Sequence, residues 1–87
     1  MIRAKSETYR RVRTLKPWEE VIGVLLSIEE DEDFLIVKLS SATLCYHASS
    51  KEAGIIGERL NGKVGRRVSI LATDNFDEPF KIWFHSE

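Results

Sequence analysis

Between Val21 and His85 the apolar residues recur mostly at every second position, with one interval where the spacing lengthens to three and four. VIGVLLSI, residues 21–28, is rich in leucine and β-branched residues and predicts a strand. Setting Ile22, Val24, Leu26 and Ile28 inward leaves Val21, Gly23, Leu25 and Ser27 outward. EEDED, residues 29–33, is too charged to bury and has the length of a hairpin loop. FLIVKL, residues 34–39, follows. Lys38 belongs in water, so Leu35, Val37 and Leu39 face in, while Phe34 and Ile36 share the outer side with Lys38. Ser40 and Ser41 suit a tight turn, and ATLCYH, residues 42–47, predicts a third strand with Leu44 and Tyr46 inward.

SSKEAGIIGERLNGKVG, residues 49–65, breaks the alternation. Ala53, Ile56 and Leu60 form a stripe at helical spacing, and Ser49 with Glu52 reads as a capping box. Asn61-Gly62 supplies a C-terminal stop. Gly54 and Gly57 each weaken the helix by about 1 kcal/mol relative to alanine, so it should be short and held by packing. RRVSILA, residues 66–72, alternates again with Val68 and Ile70 inward, and residues 73–79 form a loop. FKIWFH, residues 80–85, sets Phe80, Ile82 and Phe84 against Lys81, Trp83 and His85. Before Val21, residues 1–16 show no sustained period. Tyr9, Val12 and Leu15 allow about one helical turn, which Pro17 ends.

The predicted order is β-β-β-α-β-β, an all-β class with one short helix. Over residues 18–85 this order resembles the OB-fold, a five-stranded Greek-key barrel. The resemblance rests on element order and length, with no diagnostic motif. It implies that the helix plugs the open end of the barrel, with Ile56 and Leu60 as its apolar lid. An SH3-like or Sm-like barrel is the rival, although Sm-like barrels usually begin with their helix. The division expected is a basic arm over residues 1–17 and a barrel domain over residues 18–87.

Charge sharpens that division. Residues 1–17 carry Arg3, Lys5, Arg10, Arg11, Arg13 and Lys16 against Glu7, a net charge of +5, whereas residues 18–87 carry a net charge of −6. With 43% apolar and 31% charged residues, the chain has a normal globular balance and wholesale disorder is not expected. No apolar run approaches the ~20 residues of a membrane span, and MIRAKSETYRRVR lacks the apolar segment of a secretory signal. The lone Cys45 cannot form an internal disulfide, so a reduced, cytoplasmic setting without membrane contact is the expectation.

Motifs for chemistry do not hold. Gly57-Glu58-Arg59-Leu60-Asn61-Gly62-Lys63 has phosphate-loop spacing, but Val64 stands where a hydroxyl should bind magnesium. The segment also closes a helix, presenting carbonyls instead of amides. Cys45, His47 and His85 are the only soft metal-ligand candidates, and zinc would need all three together. Cys45 and His47 on one strand would stand about 7 Å apart, too far for direct proton transfer. The acidic runs lack the alternation and glycine of a calcium loop. We therefore expect no catalytic residue, no metal and no cofactor.

The outward residues carry the functional expectation. Phe34, Lys38, Lys81 and Trp83 mix aromatic and basic groups, and Lys63, Arg66 and Arg67 add charge before the fourth strand. Single-strand binders stack bases on aromatics and track phosphates with cations. The expected nucleic-acid contacts are Phe34, Lys38 and Trp83, with Lys63, Arg66, Arg67, Lys81 and the arm residues Arg10, Arg11 and Arg13 neutralising phosphates, on RNA or DNA. EEDED would oppose this if it flanked the groove. The outward set Val21, Leu25, Ile36 and Leu71 suggests instead a surface covered by a protein partner or a second copy. Trp83 could also pack beneath the N-terminal segment against Trp18.

Overall fold

The computed structural model describes residues 12–85. Strand β1 (Val12–Arg13) is followed by β2 (Glu20–Asp31), β3 (Phe34–Leu39), β4 (Thr43–His47), helix α1 (Lys51–Leu60), β5 (Arg67–Ala72) and β6 (Phe80–His85). From β2 onward the order is the one predicted. All five of those strands pair antiparallel, β2 with both β3 and β5, β3 with β4, and β5 with β6. β1 adds two parallel residues to the free edge of β4, where a helical turn was the expectation.

The long strand β2 serves two halves of the sheet. Glu20–Val24 pairs with β5, and Leu25–Asp31 with β3. Between them lies a bulge, because Leu25 opposes Leu39 and Ser27 opposes Lys38, leaving Leu26 unpaired. The bulge explains a correction to the predicted facing. Val21, Gly23 and Leu25 are buried, whereas Ile22 and Leu26 are exposed; beyond the extra residue the parity flips and Ile28 packs on the core, as expected. The acidic segment is also shorter as a loop than the sequence implied. β2 continues through Asp31, and only Glu32 and Asp33 make the turn, Glu32 with φ 56°.

The turn between β3 and β4 docks on β2 at that junction. Ser40 N donates to Val24 O at 2.9 Å, Val24 N donates to Ser40 Oγ at 2.9 Å, and Ser41 Oγ donates to Ile22 O at 2.7 Å. These bonds satisfy the β2 backbone on the side that β5 does not reach.

The strand order β1-β4-β3-β2-β5-β6 leaves no ladder between β4 and β6, so the expected closed hydrogen-bonded cylinder is not formed. The sheet nevertheless wraps one core. Leu35, Val37, Leu39, Leu44 and Tyr46 from one half share it with Val68, Ile70, Ala72, Phe80 and Ile82 from the other. Across the gap, Tyr46 and Phe80 meet edge to face with ring centres 5.5 Å apart. Helix α1 packs on both β4 and β6. Its predicted stripe lies in the core, with Ile56 and Leu60 fully buried and Ala53 nearly so. Burial of such side chains, at roughly 1.5–3 kcal/mol each, holds a helix that carries two glycines.

The N-cap is Ser50, one residue later than the capping box suggested: Ala53 N donates to Ser50 Oγ at 3.1 Å. The Ser50 backbone N–H donates to His47 O at 2.9 Å, and with Ser50 as N-cap the third helical position is Ala53, which has no carboxylate to return a bond. Gly62, at φ 77°, follows the Asn61 C-cap, as the stop signal implied.

Candidate nucleic-acid interface

Register fixes which side chains share the outer surface, because residues directly opposite in a ladder point the same way. Across β2, β5 and β6 the rows are Glu20–Leu71–Lys81, Ile22–Ser69–Trp83 and Val24–Arg67–His85. Trp83, 47% exposed, lies between Lys81 and His85 along β6, with Ile22, 46% exposed, one strand beyond Ser69. Ser69 is buried beneath this surface, its Oγ 2.6 Å from His85 Nε2. Arg67 and Lys81 are exposed on either side of Trp83. The structure thus brings together three of the expected residues, Trp83, Arg67 and Lys81.

Lys63 and Arg66 lie instead against a ring that points away from that surface. The Lys63 ammonium lies 5.3 Å, and the Arg66 guanidinium 5.5 Å, from the ring centre of Phe84, which alternates with Trp83 and packs against the core. Phe34 and Lys38 belong to the other half of the sheet. Phe34 pairs with Asp31 at the acidic tip and meets His47 edge to face at 5.3 Å. Lys38 lies 3.4 Å from the Glu29 carboxylate, and Ile36, expected on the surface, is only 5% exposed there. Arg13 is held by Glu19, Nη1 to Oε2 at 2.5 Å, and Arg10 and Arg11 lie outside the described residues. The Glu19 carboxyl is held below its ordinary range by the Lys16 backbone N–H first and by Arg13 second.

Distance along the strands separates the basic patch from the acidic hairpin tip, although exposed Glu20 shares the row of Lys81. Asp31 is seven residues beyond Val24, the partner of Arg67, or about 23 Å of extended chain. Residues 17–19 meet β5 at its far end, where Trp18 N donates to Ala72 O at 2.7 Å and Ala72 N to Glu19 O at 2.9 Å. Among the described residues no ring contact joins Trp18 to Trp83.

The candidates for other chemistry stand apart. Cys45 pairs with Ile36 on the outer face of β4, and desolvation, then the charge of Asp31, pushes its thiol up. Among the described residues no three of His, Cys, Asp and Glu gather as a metal group, and no helix is long and apolar enough to cross a membrane. Sequence reasoning missed Ile22 and Leu26 as surface residues. Gly23 was the available signal, since a lone glycine within a strand marks a bulge or a close backbone approach. Comparison of the chain with protein-family models, curated proteins and solved structures gives no match.

Proposed function

We propose that this chain is a non-catalytic nucleic-acid-binding module of OB type, engaging RNA or DNA on the outer surface of β2, β5 and β6. The OB assignment is supported by the three-stranded meander, the helix and the final hairpin, and by a first long strand shared between both halves. The ring contact of Tyr46 with Phe80, beside a helix spanning β4 and β6, takes the place of the missing ladder. The observation that carries the functional reading is Trp83, exposed between Arg67 and Lys81 and well removed from the acidic hairpin tip. The indole offers a stacking surface, and each stacked base contributes about 1–3 kcal/mol. Arg67 and Lys81 neutralise phosphates, while Lys63 and Arg66, which lie over Phe84, are secondary. Phe34 and Lys38 are secondary, because Asp31 and Glu29 stand beside them.

Titration of short fluorescent single strands at two salt concentrations tests this. Two to four phosphate contacts predict log K falling against log salt with a slope of about −1.4 to −2.8. Trp83→Ala should weaken binding with little change in slope, and Arg67→Glu should flatten it. Unchanged affinity in both variants would remove the assignment.

A second reading, a protein-interaction module, is favoured by the exposure of Ile22 and Leu26 on the same outer surface. It predicts a complex that tolerates salt and is lost on Ile22→Ser.

A further inference from the structure

Trp18 has φ 71°, a left-handed conformation in which a bulky side chain is strained, and the residue is 61% exposed. The Lys16–Glu19 turn that carries it is closed by Glu19 N donating to Lys16 O at 2.9 Å. The bond from Trp18 N to Ala72 O sets this turn beside the loop of residues 73–79. In that loop Asn75 N donates to Thr73 Oγ1 at 3.1 Å, Asp77 N to Asn75 Oδ1 at 2.9 Å, and Lys51 Nζ to Phe76 O at 3.0 Å. Phe76 is held 79% exposed, with the Lys51 ammonium 4.0 Å from its ring centre. Two aromatics are therefore presented to solvent at the same end of β5, Phe76 within a loop that also exposes Asp74, Asp77 and Glu78.

The complementary surface lies at the other end of β5. Leu26 is 54% and Val64 59% exposed, and Gly65 N donating to Leu25 O at 2.8 Å brings their segments together. Lys63 precedes Val64 in sequence, Arg66 follows Gly65, and Arg67 pairs with Val24, two residues before Leu26. Arg67 and Ala72 are five residues apart along β5, about 17 Å of strand, so the two surfaces cannot meet within one molecule.

We propose that the Trp18–Phe76 end of one copy docks on the Leu26–Val64 patch of a second copy. The aromatics supply the anchors, and their fixed backbone limits the ordering that docking requires. Acidic loop meets basic rim, which fixes the direction of approach. The contact joins two different surfaces of the chain, so each copy offers both, and the angle of the contact decides whether copies close on one another or add in a series. This goes beyond nucleic-acid binding and does not rest on it, although a bound strand would compete for Arg67.

Sedimentation velocity of the full chain, without nucleic acid, tests the contact over a wide concentration range at low and high salt. The average mass should rise with concentration and fall with salt. Trp18→Gly removes the indole and suits a positive φ, so it should keep or raise Tm while weakening association about tenfold or more, as loss of an anchor does. Copies carrying Asp77→Lys and Glu78→Lys, or Arg66→Glu and Arg67→Glu, should each stay monomeric and associate when the two are mixed. A chain that is monomeric throughout, association that survives Trp18→Gly, or mixed copies that remain apart would overturn the proposal.

Discussion

Ser41 Oγ lies 2.7 Å from the position that a Cβ on Gly23 would occupy, and Ser40 Oγ lies 2.9 Å from it. The serine turn reaches the β2 backbone only because residue 23 has no side chain. Gly23→Ala would gain a few tenths of a kcal/mol or more from a stiffer unfolded chain. The forced displacement of the turn, with its three bonds to residues 22–24, costs more. We expect net destabilisation of about 1–3 kcal/mol, read from the midpoint of urea unfolding. An unchanged midpoint would show that the turn yields freely.

Leu25 and Leu26 are neighbours with opposite surroundings, fully buried and 54% exposed. Leu25→Ala should cost about 2–5 kcal/mol, the range for a core leucine. Leu26→Ala should stay within about 0.5 kcal/mol. Equal losses in equilibrium unfolding would contradict the bulge that separates them.

Ser50, not Ser49, accepts the N–H of the first helical turn. Ser50→Ala should therefore destabilise by about 1 kcal/mol, a typical cap loss. Among the described residues Ser49 Oγ meets only the His47 ring, at 3.1 Å near the surface, so Ser49→Ala should change stability little. The thermal midpoints of the two variants compare them directly.

The Tyr46 hydroxyl accepts the Leu15 N–H at 3.0 Å in a buried site beside the β4–β6 gap. Tyr46→Phe leaves that N–H without its partner, a loss of about 1–3 kcal/mol. Burial, the largest cause, pushes the phenol above its ordinary value of 10.0. Above that value the unfolded chain releases the phenolic proton while the folded chain retains it. The unfolded state then binds fewer protons, and stability falls as pH rises. The contribution is complete below pH 10 and is lost on the alkaline side. Unfolding midpoints followed from neutral to alkaline pH should fall more steeply in the parent chain than in Tyr46→Phe. Parallel curves would remove the titration of Tyr46 as the cause.

Much of the architecture was legible in the residues. Val37, Leu44, Val68, Ile70, Phe80 and Ile82 alternate with polar or small neighbours, or sit in runs with one clear phase, and each is buried as expected. Ala53, Ile56 and Leu60 could serve only a helix with one apolar side, and they do. Trp83, Arg67 and Lys81 were readable as outward, because each alternates with a core residue. That Phe34 and Lys38 lie on a different half of the sheet was not readable, since it depends on which strand pairs with β2 on each side.

What the chain settled by itself was periodicity: which segments extend, where the one helix falls and which side chains of β3, β5 and β6 turn inward. These follow from local geometry, where the backbone repeats at two residues in a strand and at 3.6 in a helix. Tertiary structure decided the facing of β2, because Val21, Ile22, Val24, Leu25 and Leu26 are apolar on both sides and a period of two admits either phase. Contact broke the tie: the serine turn could seat only against Gly23, and the extra residue at Leu26 restored the parity needed by Ile28. The open β4–β6 gap was settled in the same way, by Leu15, Tyr46, Phe80 and α1 filling with side chains the space where a ladder would close.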